Sequence, residues 1–279
     1  MVRRNLLAIS DLHVAYEDNR AIVERIRPKT DEDWLIVAGD VGEIVEEITW
    51  ALETLSRNFA RVIWVPGNHE LWTPKQDAVQ LRGEERYRHL VDICKNLGVL
   101  TPEDPYQTWE GPGGPLLIAP LFLLYDYSWR TPTARTKAQA LAQAEEKGVV
   151  CTDEFFLHPD PYPTREAWCH ARLEETEARL AACDPELGTI LVNHYPLLRD
   201  PTDILHFPEF AQWCGTSRTA DWHKRFRCQI AVYGHLHIPR TSWHDGVRFE
   251  EVSVGYPREW RRSWHPGTDP RVILPEVRA

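Results

Sequence analysis

Five short apolar runs recur along this chain, and each gives way at its C-terminal end to a turn that carries Asp, Asn or His. The runs cover residues 5–9, 34–38, 61–65, 189–192 and 229–233. The turns read Ser10-Asp11-Leu12-His13, Gly39-Asp40-Val41-Gly42, Pro66-Gly67-Asn68-His69-Glu70, Asn193-His194-Tyr195-Pro196 and Gly234-His235-Leu236-His237. Runs of four to six β-branched or bulky residues predict buried strands. Between them, Ile44, Ile48, Leu52 and Leu55 share one face of a 3.6-residue period, and 78–97 reads as a second helix closed by Gly98. Strands alternating with helices predict a layered α/β fold. Open sheets of that kind carry their sites at the carboxyl ends of the strands.

Further strands are expected around 115–121 and 248–254, the second after a turn at Asp245-Gly246, and together they suggest a second sheet. The stretch 122–163 breaks the rhythm and reads as an insertion: an aromatic cluster (Phe122, Tyr125, Tyr127, Trp129), an alanine-rich helix near 133–147, then 153–163. Long irregular segments of this kind often serve as lids. A helix follows at 164–182, whose run Glu174-Glu175-Thr176-Glu177 reads as a solvated face.

With 279 residues, 43% of them hydrophobic, the chain can bury one substantial core, so 1–279 is expected to form a single domain with a substrate lid at about 122–163. A net charge of -10 removes the broad cationic surface that duplex nucleic acid requires. The apolar stretch 6–9 is too short for a signal core or a membrane span. Six cysteines without a C-x-x-C pair suit a reducing compartment, so a cytoplasmic location is expected.

A single D-x-H triplet arises by chance about once in a chain of this size. Five ligand-bearing turns in order carry far more weight. They offer Asp11, His13, Asp40, Asn68, His194, His235 and His237: two carboxylates, one amide oxygen and four imidazoles. Seven donors exceed what one catalytic ion with an open position can use, and a carboxylate such as Asp40 can bridge a pair. Nitrogen and oxygen donors without thiolate point to two divalent ions from Mn, Fe, Zn, Co or Ni and do not choose among them; Mn or Fe is the favoured expectation.

The order D-x-H, G-D, G-N-H-E, a lone His and G-H-x-H resembles the calcineurin-like metallophosphoesterase superfamily, and the five blocks span residues 11 to 237. The resemblance implies a four-layer sandwich of two mixed β-sheets flanked by helices. It also implies that Asp11, His13 and His237 hold one ion, Asn68, His194 and His235 the other, and that Asp40 bridges them. His69 matches a histidine that protonates the leaving oxygen or stabilises charge on the phosphoryl group. Glu70 is expected to cap the following helix or to orient His69.

Two cations would clamp the phosphoryl oxygens and make hydroxide available for in-line attack near neutral pH, which defines a metal-dependent phosphoric ester hydrolase. The favoured substrate is a phosphomonoester of a small organic metabolite or nucleotide. The alternative is a phosphodiester, in a cyclic nucleotide or a nucleotide-containing metabolite. A nuclease fits the acidic balance poorly, and a non-catalytic metal-binding scaffold fits poorly with a complete ligand set. Tyr125, Trp129, Arg130 and Arg258 are candidate substrate contacts, with Tyr127, Phe155, Phe156 and His158 as further wall residues. His89, His170, His206, His223, His244 and His265 lie outside the motifs.

Overall fold

Strand side chains alternate between two apolar layers, and that alternation sets the architecture. The structure, a computed structural model, describes residues 4–261 and 268–276, so His265 lies outside the described residues. Three strands open the fold, β1 (Leu6–Ile9), β2 (Trp34–Val37) and β3 (Arg61–Trp64). Later come β4 (Gln107–Trp109), β5 (Leu116–Pro120), β6 (Gly188–Val192), β7 (Cys228–Tyr233), β8 (Arg240–His244), β9 (Val247–Glu251) and β10 (Arg271–Leu274). Leu6, Ala8, Ile36 and Ile63 share a buried cluster with Ile118, Ile190, Val192 and Val232, which contains no helical residue. This is the layer between two sheets. The intervening residues Leu7, Ile9, Leu35, Val37 and Val62 face the opposite way, towards helices, as a period of two demands.

One sheet has the order β10-β1-β2-β3, and the other β4-β5-β6-β7-β9-β8. β1, β2 and β3 are parallel and β10 is antiparallel; in the larger sheet β5, β6, β7 and β9 are parallel and the edge strands β4 and β8 are antiparallel. Both sheets are therefore mixed. The flanking helices are α1 (Glu17–Arg25), α2 (Val45–Ser56), α3 (Gly83–Asn96), α4 (Lys137–Glu146), α5 (Asp153–Phe156), α6 (Arg165–Ala181), α7 (Trp222–Arg225) and α8 (Pro257–Trp260). All five strands expected from the apolar runs form, and so do those near 116–120 and 247–251. The antiparallel partner β8 went unforeseen. It pairs with β9 through the two-residue turn Asp245-Gly246, whose φ values of 52° and 80° suit a primed hairpin turn.

Two helix boundaries differ from expectation for a physical reason. Helix α3 begins at Gly83 rather than near 78 because the Asp77 carboxylate accepts the N–H of Val79 (2.9 Å) and Val45 (3.2 Å) and pairs with buried Arg86 (2.8 Å), fixing a loop ahead of the helix. The alanine-rich helix starts at Lys137, where the Thr136 hydroxyl accepts the N–H of Gln139 and caps it. Helix α6 matches its expected span, with Thr164 as its cap; Glu174 and Glu175 are exposed and Thr176 is buried. Five of the twelve tryptophans (Trp64, Trp109, Trp168, Trp213, Trp222) are fully buried and serve as packing. All six cysteines are unpaired, five of them buried. Among the described residues no helix is long and apolar enough to cross a membrane.

The sheets meet at their carboxyl edges. Ser10, just after β1, donates its N–H to Val252 (3.0 Å) and accepts from Val254 (2.9 Å), joining the end of the smaller sheet to the end of the larger. All five ligand-bearing turns consequently gather on one side of the sandwich.

Candidate metal centre

Close backbone approach lets the turns converge. Gly39 has φ +89°, and a Cβ there would lie 2.7 Å from both the Gly67 nitrogen and His194 Nδ1. Five of the seven candidate ligands, Asp11, His13, Asp40, His235 and His237, themselves take positive φ between 41° and 70°. Left-handed backbone at a residue with a side chain is uncommon and costs about 1–3 kcal/mol. Such a concentration at one place marks a site that the surrounding fold holds under strain.

The first group is Asp11, His13 and His237. His237 Nε2 lies 3.0 Å from Asp11 Oδ1 and 3.2 Å from His13 Nε2. Its other nitrogen faces Glu259 Oε2 at 2.7 Å, so Glu259 accepts Nδ1–H and turns Nε2 inward. The second group is Asp40, His194 and His235. His194 Nε2 lies 3.3 Å from Asp40 Oδ2 and 3.2 Å from Asn68 Oδ1, while its Nδ1 donates to the Ala38 carbonyl at 2.9 Å. Asp40 also accepts the His69 N–H through Oδ1 at 2.9 Å. The structure thus brings together all seven residues singled out by the motifs.

Charge supplies the test of whether cations fit here. Asp11 and Asp40 are buried, and among the described residues neither lies within ion-pair range of a Lys or Arg. Burying an unpaired carboxylate costs several kcal/mol. Imidazoles carry the compensation: burial opposes it, but Asp40 pushes His194 up to about 10, and Asp11 and Glu259 hold His237 well above its usual range. His235, pushed down to about 3 by burial and by His194, stays neutral, and its buried Nε2 has no hydrogen-bond partner among the described residues. Imidazole nitrogens, carboxylates and an amide oxygen converging within a few ångströms form a donor set suited to divalent cations, which would take the place of the compensating protons on His194 and His237. Glu43 and His69, with His13, form a third such cluster beside the first two.

His69 stands at the edge of this array. Its Nδ1 faces Glu43 Oε1 (2.8 Å), its Nε2 lies 3.7 Å from Asp40 Oδ2, and its ring stacks on Trp72 at 3.7 Å. Burial lowers its proton affinity, but Asp40 and Glu43 outweigh burial and raise it. Glu70 neither caps a helix nor touches His69. Its buried carboxylate accepts the N–H groups of Asp40 (2.9 Å), Val41 (2.8 Å) and Gly67 (2.8 Å), locking the turn after β2 to the turn after β3. Burial beside Asp40 pushes that carboxyl up to about 7 against the pull of these N–H groups.

The centre opens into a cleft of about 400 Å³. Asp40, Asn68, His69, His235 and His237 form its base, Trp72, Phe210, Tyr256 and residues 150–152 its walls, and Arg258 its rim. Of the four candidate substrate contacts only Arg258 lines the cleft. Tyr125 and Trp129 are 1% and 4% exposed and pack in the core, and Arg130 donates to the Tyr127 carbonyl (2.7 Å). Burial, with Asp153 nearby, holds the Tyr125 phenol well above its ordinary range, as befits a core residue. Tyr127 bonds Glu154, His158 accepts from Arg82, and neither they nor Phe155 and Phe156 line the cleft. An aromatic-rich stretch therefore signalled packing here. Phe210 and Glu259 gave no motif signal, whereas Glu43, three residues beyond Asp40 in the same turn, was within reach of one.

This chain belongs to the calcineurin-like phosphoesterases: the family model of that description matches residues 4–239. It is a hydrolase of phosphoric esters, of the metal-dependent class. Among curated relatives, [acyl-carrier-protein] phosphodiesterase PptH of Mycobacterium tuberculosis is 57% identical over 237 residues, covering 85% of this chain and 73% of the relative. The crystal structure of phosphopantetheinyl hydrolase (PptH) from Mycobacterium tuberculosis superposes with a TM-score of 0.96 at 56% identity, covering 98% of this chain and 97% of the other.

Proposed function

We propose that this chain hydrolyses a phosphodiester, and that its substrate is a phosphopantetheinyl group carried on a protein, as the names of the similar proteins suggest for them. The observation that carries the diester reading is the likeness over most of the chain to a protein named as a phosphodiesterase, and beyond the residues that would hold the ions Arg258 is, among the described residues, the single Lys or Arg in the cleft's lining. A diester bears one negative charge, whereas a terminal monoester is largely dianionic near neutral pH. One rim cation suits the former. The preference for a small phosphomonoester drawn from the motifs is accordingly reversed, and the small-molecule partner gives way to a protein-borne group.

Asp11, His13 and His237 would hold one divalent ion, Asn68, His194 and His235 a second, with Asp40 between them. Bound there, the pair would neutralise the phosphoryl oxygens and lower the pKa of an attacking water. The chain's own residues do the rest. Glu43 accepts His69 Nδ1–H and thereby aims Nε2–H at the centre, where it can pass its proton to the departing oxygen. Water oxygen ends on phosphorus, and the carrier's side-chain oxygen leaves as a hydroxyl. Arg258 steers the anion at the rim, and Phe210 and Tyr256 offer apolar surface to the arm of the substrate. Residues 122–163 contribute a wall of the cleft within a single domain. Six unpaired cysteines fit a cytoplasmic setting.

The test is incubation of metal-loaded chain with a carrier protein bearing phosphopantetheine, read by intact-protein mass spectrometry. Loss of the whole arm, with a free hydroxyl regained on the carrier, supports the reading. An unchanged carrier mass while simple diesters are cleaved would remove the carrier and leave only diester hydrolysis.

A further inference from the structure

The two ends of an asparagine amide have nearly the same shape, yet only the oxygen can serve a cation. Something must therefore choose the rotamer of Asn68. Its Nδ2 donates to Asp153 Oδ1 at 2.9 Å, leaving Oδ1 to face His194 Nε2. That Asp153 oxygen also meets an N–H that can only donate, so it acts as an acceptor, bonds the N–H₂ end and rejects the flipped amide. The same Asp153 oxygen accepts the Trp72 indole N–H at 2.7 Å, and Trp72 stacks on His69.

Asp153 belongs to the inserted segment, and that segment is firmly held. Arg165 donates to the Asp153 carbonyl (2.6 Å), the Leu157 carbonyl (2.8 Å) and the Glu154 carboxylate (2.9 Å). Thr73 donates its N–H to the Phe156 carbonyl at 3.1 Å, and Trp72 bridges to Leu157. Asp153 itself is fully buried.

We propose that Asp153 is a positioning residue for the metal centre, fixing the Asn68 amide so that its oxygen faces the ions and tying the insertion to their retention. The proposal rests on the metal reading of Asn68. Partners of this kind, one bond removed from a ligand, typically contribute about 10–100-fold in metal affinity.

The experiment is a Mn²⁺ titration of the stripped full chain against a competing chelator, with a thermal melt as a fold control, on four chains: parent, Asp153→Ala, Asn68→Asp and the double variant. Asp153→Ala is expected to weaken one of the two ions by about 10–100-fold. In the Asn68→Asp background both side-chain oxygens are acceptors, no rotamer is favoured by Asp153 and its carboxyl faces another acceptor, so adding Asp153→Ala should leave binding unchanged or tighten it. Equal weakening in both backgrounds indicates a general structural role and overturns the proposal, as does parental affinity in Asp153→Ala. Should the alanine variant lack a cooperative melt, Asp153→Ser takes its place in the cycle. Failure of the metal reading looks different, because the parent chain itself then takes up no ions and the proposal falls with it.

Discussion

Replacing Glu70 with alanine removes a buried side chain that ties the turn after β2 to the turn after β3. Three N–H groups, those of Asp40, Val41 and Gly67, lose their acceptor in a fully buried place. A buried donor left unsatisfied costs about 1–3 kcal/mol, and partial relaxation or entry of water into the space vacated should offset some of it, so about 3–5 kcal/mol is expected overall. For domains of about 150–250 residues each kcal/mol corresponds to about 2–4 °C in melting temperature, so Glu70→Ala should melt about 6–20 °C lower. The melt should be followed by circular dichroism in excess chelator, so that lost metal cannot account for the shift. Glu70→Gln retains one oxygen but presents N–H₂ to at least one of the three donors, and is expected to lose about 1–3 kcal/mol. A Glu70→Ala chain that melts within about 2 °C of the parent would correspond to under about 1 kcal/mol and would refute the locking role.

Three further outcomes follow from other parts of the structure. Asp33 accepts from the N–H groups of Asn5, Lys29 and Thr30 and from the Thr30 hydroxyl; burial alone would raise its carboxyl, but these donors outweigh burial and lower it. Its stabilising contribution should therefore be complete above the unfolded value of 3.8 and fade as pH falls through the lower folded value, so the stability gap between parent and Asp33→Asn should shrink on acidification in urea melts. Arg86→Met strands the buried Asp77 and should destabilise by about 3–5 kcal/mol in the same assay. His69→Asn should lower kcat on a diester by about 10²–10⁴-fold while leaving metal content, read by elemental analysis, at the parental level.

Much of this architecture was legible because the same residues carry two signals. The run at 34–37 is apolar throughout, which marks a strand buried on both faces, and Gly39-Asp40 immediately after it marks a turn with a ligand. Spacing could not reveal what holds those turns together. Glu70 sits next to His69 in sequence and reads as a cap, yet two of its three partners lie about 30 residues away, beyond α2 and β3. Asp153 is 85 residues from Asn68, and Glu259 is 22 from His237, distances at which no local periodicity operates. Tyr125 and Trp129 misled for a related reason: an aromatic is as useful in a core as in a binding wall, and only packing tells the two apart. Charge behaved likewise. The overall balance of -10 spoke against nucleic acid, but the place of Arg258 as the one Lys or Arg lining the cleft among the described residues depends on three-dimensional neighbours.

The most direct test of the central claim compares bis-p-nitrophenyl phosphate with p-nitrophenyl phosphate on the stripped chain, after readdition of Mn²⁺, and on Asp40→Asn. Preference for the diester, dependence on two bound ions per chain, and loss of both ions together with turnover in Asp40→Asn are the predicted results. Preference for the monoester, or diester turnover that persists in a metal-depleted Asp40→Asn chain, would contradict the account.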